Sequence, residues 1–316
     1  MILNFAPNSI LSFLINKLSK RFLWMILISQ SLFAQTSFKP FSILYQETQK
    51  GGVTLIGNTQ LRANPITTSG FNMTDVPPSG GGGGTGQPNS TYIDIDADAS
   101  TTNSTSADFA LGGSCRTISQ AFLYWSGNFK SYASLSAVST FPGYINKNQV
   151  KLRVPGSAVY NVITADGFSE GSTATTAFGV FYECYKNVTS IVKAAGNGTY
   201  FMADIQSQIG ANNNISGWAL VVFYEDISLP NKQFTIFNGS IFINSGQSGT
   251  VTISGFQTPP VGPVGLDLGV IAYDGDRGSS TDDYLRFSSN IANMTNANYN
   301  LSNTLNPSTD FLNSSI

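Results

Sequence analysis

Between Tyr92 and Phe287 the chain repeats one local pattern: a run of β-branched and aromatic residues, then a cluster of Gly, Pro, Asn or Asp. Such runs occupy 92–95, 120–125, 149–154, 159–164, 179–185, 199–205, 218–224, 233–237, 240–243, 250–254, 266–273 and 284–287. Segments this short, bounded by turn-forming residues, are strands, and their close succession predicts an all-β fold. The expected architecture is an antiparallel β-sandwich, jelly-roll-like, with one short helix over 189–195 that Gly196 stops. In 120–125, Phe122 and Tyr124 alternate with Leu123 and Trp125, and 219–223 is apolar throughout. Strands apolar on both faces belong at the centre of a sheet.

Two further strand-like pieces, 41–47 and 53–56, precede these, with Gly51-Gly52 read as a turn between them. The run Pro77-Pro78-Ser-Gly-Gly-Gly-Gly-Gly-Thr-Gly has almost no side chains to bury and reads as a flexible loop or linker. The expected organisation is a leader over 1–34, amino-terminal strands over 35–76 packing on the main domain, a Gly-rich loop over 77–90, and a β-sandwich over 91–316. The Asn, Ser and Thr-rich tail from Ser288 to Ile316 contains no sorting or anchoring signal, so the native chain is expected to continue beyond it.

The leader follows from the order of its parts. Lys17, Lys20 and Arg21 precede an apolar run from Phe22 to Phe33 that closes on Ala34-Gln35. A basic region, a short apolar region and a small residue make a signal peptide, with cleavage expected after Ala34. The stretch before Lys17 is long for a leading region, which places the expected translation start downstream, near Leu18. The apolar run falls short of the ~20 residues that span a bilayer, and no later run approaches that length, so the mature chain is expected to lack a transmembrane segment.

Composition narrows the function classes. Charged residues are 11% of the 316 and the formal net charge is -2, which leaves no field to gather phosphate and sets nucleic acid aside as a partner. There is no histidine, which removes the commonest general base and the hydrolase triads that use it. An enzyme would need paired carboxylates or a lysine; Glu183 and the neighbours Glu225 and Asp226 are candidates whose separation the sequence leaves open. The two cysteines, Cys115 and Cys184, are expected to form a disulfide after export, two buried thiols being the other reading.

Two acidic clusters are candidate metal sites. Asp94, Asp96 and Asp98 alternate with Ile95 and Ala97, which on a strand puts three carboxylates on one face about 6.5 to 7 Å apart. Asp274 and Asp276, with Asp283 after them, fall in a Gly-containing loop beside Arg277. Oxygen-only clusters suit calcium, so Ca2+ is the expected cofactor. Solvated carboxylates on an edge strand, and a loop neutralised by Arg277, are the alternatives. The first cluster is not an EF-hand, because Ala99 stands at its sixth position and Thr105 at its twelfth. Trp125 and Trp218 are read as core, with stacking on sugar rings as the alternative.

An ordered series of motifs carries a resemblance. It runs through Asp94-Ile-Asp-Ala-Asp-Ala-Ser-Thr, Asn103-Ser-Thr-Ser-Ala, Ala121-Phe-Leu-Tyr-Trp-Ser-Gly and Tyr185-Lys-Asn-Val-Thr. It continues through Gly217-Trp-Ala-Leu-Val-Val-Phe-Tyr-Glu-Asp with Ser228-Leu-Pro, Val251-Thr-Ile-Ser-Gly-Phe and Ile271-Ala-Tyr-Asp-Gly-Asp-Arg-Gly. Together these resemble the amino-terminal globular region of large bacterial cell-surface, adhesin-like proteins, which continue into repeat modules and, in gliding bacteria, into type IX secretion sorting domains. The resemblance covers roughly 53–316. It implies a secreted, cell-surface, non-catalytic binding module with an extracellular surface, glycan or protein ligand, and it brings no catalytic residues. The alternatives are a carbohydrate-binding module and a carboxylate-dependent glycoside hydrolase.

Overall fold

The computed structural model describes residues 36–64, 89–113, 115–129, 147–172, 180–210, 214–243, 248–256, 265–273, 284–287, 300–304, 306–309 and 311–312. The expected leader with its cleavage point, the polyglycine run, and Asp274, Asp276 and Asp283 lie outside them. In chain order the strands are β1 (Thr36–Thr59), β2 (Leu61–Asn64), β3 (Asn89–Tyr92), β4 (Ser104–Phe109), β5 (Thr117–Phe129), β6 (Gln149–Arg153), β7 (Asn161–Thr164), β8 (Gly167–Ser172) and β9 (Val180–Asn187). The helix α1 (Thr189–Ala195) follows, then β10 (Gly198–Ala203), β11 (Ser216–Glu225) and β12 (Asn231–Phe242). The fold is all-β, antiparallel and sandwich-like with one short helix.

A six-stranded sheet runs in the order β12-β1-β11-β5-β9-β8, a four-stranded one in the order β4-β10-β6-β7, and β2 pairs with β3. The strands read as apolar on both faces, β5 and β11, are the inner pair of the large sheet. On one face Leu123, Trp125, Cys184, Trp218, Leu220 and Val222 meet Val150, Leu152, Tyr200 and Met202 of the small sheet. On the other face Phe122, Tyr124, Val221, Phe223 and Phe234 form a second apolar cluster. Both indole N–H groups are satisfied, Trp125 Nε1 by the Lys147 carbonyl at 3.0 Å and Trp218 Nε1 by Thr105 Oγ1 at 2.9 Å. The tryptophans are therefore core, 0% and 3% exposed, and unavailable to stack on a sugar.

Two local readings change. The expected turn at Gly51-Gly52 is absent, and β1 is a single strand that pairs with β12 through Lys50 and with β11 from Gly51 onward. Glycine is needed there because a Cβ on Gly51 would stand 1.9 Å from the Tyr224 carbonyl oxygen. The expected strands at 250–254, 266–273 and 284–287 do not form. Residues 250–254 and 265–272 have no strand assignment, and Arg286 makes only an isolated bridge to Asn300. Alternating apolar residues favour extended, half-buried chain, but a strand also requires a backbone partner.

The helix forms over the expected residues, and Gly196 donates its N–H to the Val192 carbonyl at 2.9 Å. Its first residue is tied to β5, since Thr189 Oγ1 accepts the Ala121 N–H at 2.9 Å and bonds Gln120 Oε1 at 2.8 Å. Among the described residues no helix is long and apolar enough to cross a membrane.

Candidate functional site

The first acidic cluster is a loop and not a strand face. Asp94 makes a parallel bridge to Ser104, and Ala97 turns the chain with a φ of 49°. The Ser104 hydroxyl lies 2.8 Å from both Asp94 Oδ1 and Asp96 Oδ1. Asp96 also pairs with Arg153 at 3.0 Å and accepts the Tyr160 hydroxyl at 2.7 Å. Burial raises the Asp96 pKa, but the bonds from Tyr160, Ser104 and the Asp98 N–H, together with Arg153, outweigh it and leave the carboxyl below its ordinary value. Asp98 accepts the Ser100 N–H at 2.8 Å, which closes the turn. The loop gathers the carboxylates and then engages them with protein donors. Among the described residues no group of three or more His, Cys, Asp or Glu side chains is placed to hold a metal ion.

The expected disulfide is not formed. Cys184 is buried in the core on β9, opposite Trp125 in the β5 register, whereas Cys115 is exposed two residues before β5 begins. Trp125 and Thr117 are separated along β5 by about 26 Å at roughly 3.3 Å per residue, against a Cα separation of about 7 Å at most for a disulfide. Burial pushes the Cys184 thiol well above its ordinary pKa, with Glu183 adding to the effect, so it is an inert core residue.

A site that no sequence motif marked lies at the start of β5. Tyr45, Glu47 and Gln49 alternate on one face of β1, and with Glu225 of β11 and Thr117 to Gln120 of β5 they line a cleft of about 780 Å³. Leu111, Gly113 and Arg116 from the loop before β5, with Lys193, Gly196 and Asn197 from the end of α1, complete its lining. Its walls are cross-linked. Gln49 Nε2 donates to Ser119 Oγ at 2.9 Å and to the Tyr224 carbonyl at 3.2 Å. Asn197 Oδ1 accepts the Leu111 N–H at 2.8 Å, and Arg116 pairs with Asp226 at 3.0 Å while lying 4.9 Å above the Tyr224 ring.

The Tyr45 ring packs against Phe122 and Phe223 at 5.7 and 4.9 Å, so its face is used by the core. Burial raises its hydroxyl pKa, Glu47 adds to the rise, Ser119 opposes it by hydrogen bonding, and Glu225 adds again. Two carboxylates therefore act on one phenol in one cleft. Amides, hydroxyls, carboxylates and cations are presented on a stiff frame, a set that recognises polar ligands by hydrogen bonding. Glu225 drew notice in the sequence only as the neighbour of Asp226; Glu47, 178 positions away, has no local signal linking the two.

No family model, no curated protein and no solved structure matches the chain.

Proposed function

We propose that this chain is a secreted, adhesin-type binding module of a bacterial cell surface, acting without catalysis and holding an extracellular ligand in the cleft between β1, β5, β11 and α1. The carrying observation is the cleft itself, an open, polar concavity of strand, loop and helix-end residues whose lining is braced by side-chain hydrogen bonds. The chemistry of its lining favours a polyhydroxylated or peptide ligand bound through hydrogen bonds, because its one core-packed tyrosine offers an edge and not a face. The absence of histidine and the resemblance of the ordered motifs to surface proteins support the same reading.

The test is binding of the secreted chain to arrayed glycans and to immobilised extracellular proteins, followed by the exposed cleft variants Lys193→Ala, Glu47→Gln and Glu225→Gln. Saturable binding that weakens in these variants, with melting temperatures unchanged, is the expected result. Binding that survives all three would remove the cleft from the proposal.

One observation favours a second reading, a carboxylate-dependent glycoside hydrolase: Glu47 and Glu225 face the same cleft. Such an enzyme needs two acids about 5 to 10 Å apart. Turnover of a bound glycan that either Glu→Gln substitution abolishes would select it over the binding module.

A further inference from the structure

The second face of the large sheet is the inside of a curl. β1 is long enough to pair with β12 along one half and β11 along the other, and this bends the outer half of the sheet back toward β8 and β9. β8 and β12 are the two ends of the sheet and share no backbone ladder. Among the described residues, side-chain contacts bridge these two sides. Ser169 Oγ lies 3.3 Å from Ser240 Oγ, the Phe181 and Phe242 rings are 4.9 Å apart, and Lys39 Nζ lies 5.2 Å from the centre of the Tyr185 ring.

Glu183 lies beneath this bridge. The β5–β9 and β8–β9 registers place it opposite Ser126 and Ser169, on the inner face with Tyr124 and Tyr185. Burial raises its pKa to about 7, and Lys39 opposes the rise. The groups around it come from each packed element. β1 contributes Lys39, β5 contributes Tyr124, β9 itself contributes Tyr185 and the adjacent Cys184, and the segment after β12 contributes Tyr273. β8 and β12 present Ser169 and Ser240, which do not ionise. The Tyr124 and Tyr273 hydroxyls are buried and have no hydrogen-bond partner. Glu183 is half-buried among these uncharged and apolar groups, so its ionised form is incompletely solvated, and parting the side-chain seam above it is a way to complete that solvation without breaking a described backbone ladder.

We propose that the side-chain seam between β8–β9 and β1–β12 is a pH-operated latch, closed while Glu183 carries a proton and loosened when it ionises. The sign follows from linkage. A carboxyl whose pKa is higher in the closed form than in the open one stabilises closure fully below about pH 4.5, and that contribution is lost as pH rises to about 7. Opening should therefore grow by up to about tenfold per pH unit across this window and level off above it. The chain has no histidine, so no imidazole titrates in the same range.

Amide hydrogen exchange on the whole chain at pH 5 and pH 7.5, expressed as protection, tests this. In the wild type, the edge amides of β8 and of the Ser240 end of β12 that face the seam should exchange through an opening more frequent than global unfolding, and that opening should increase across the window. Glu183→Gln, which mimics the protonated acid, should hold it constant. Equal pH dependence in the variant, a pH-independent seam, or seam amides protected as strongly as those of β5 would each overturn the latch. Should Glu183→Gln fail to fold, Lys39→Met decides, since losing the opposing cation must move the transition to higher pH, and an unmoved transition would also overturn it.

Discussion

At the scale of single residues, two of the more buried ion pairs described in this protein lie on β6. Lys151 Nζ lies 2.8 Å from Asp204 Oδ2, and the Asp204 side chain is fully buried, its other oxygen accepting the Thr102 N–H at 2.7 Å. Asp204 also holds a φ of 58°, a left-handed conformation uncommon outside glycine. Lys151→Met should lower unfolding stability by about 3–5 kcal/mol, because it leaves a buried carboxylate unpaired. Urea denaturation measures this, and a loss below about 1 kcal/mol would mean that water already reaches the pair. Two residues along β6, Arg153 pairs with Asp96 and its guanidinium lies 3.9 Å from the Phe201 ring centre. Since protein donors already engage Asp96, Asp96→Asn is expected to lower the melting temperature equally in calcium and in chelator. A larger loss in calcium would show a metal at this loop.

At the scale of elements, β1 decides how the large sheet is built, and its glycines are where it can be broken. Gly51→Ala would set a Cβ against the Tyr224 carbonyl, so β1 must move off β11 just where it exchanges partners. The expected loss is about 1–3 kcal/mol, the range for overpacking, read from the shift in denaturant midpoint. The inner pair β5 and β11 contributes more core residues than any other two strands. Leu123→Ala removes a fully buried side chain between the sheets and should lose about 2–5 kcal/mol, which thermal or chemical denaturation would register. The cysteines report on the same strands. A thiol reagent should modify exposed Cys115 in the native protein and buried Cys184 only on unfolding, and reductant should leave the melting temperature unchanged. Slow modification of both thiols until reductant is added would instead indicate that they are bonded.

At the scale of the whole molecule, stability should peak near pH 5 and not at neutrality. Asp166 is held below its ordinary pKa because Lys186 and the Asn187 N–H outweigh its burial, and Asp96 is lowered as well. Stability from such carboxyls is present above their unfolded values near 3.9 and is lost as pH falls through the lower folded ones. Glu183 acts in the opposite sense between about pH 4.5 and 7. Melting temperatures across pH 3 to 8 should thus rise and then decline, and Glu183→Gln should flatten only the neutral side. Local sequence determined the all-β class, the helix with its stop at Gly196, and the central placing of 120–125 and 219–223. These depend on side-chain periodicity and turn chemistry, which act over a few residues. Only the tertiary structure decided that Gly51 marks a close approach and not a turn, that Cys115 and Cys184 lie far apart, and that 250–254 and 266–273 find no ladder. It also decided that Glu47 and Glu225 line one cleft and that Glu183 lies beside an unladdered seam. Each of those depends on which strands become neighbours, and antiparallel register joins residues too distant in the chain for any local pattern to record.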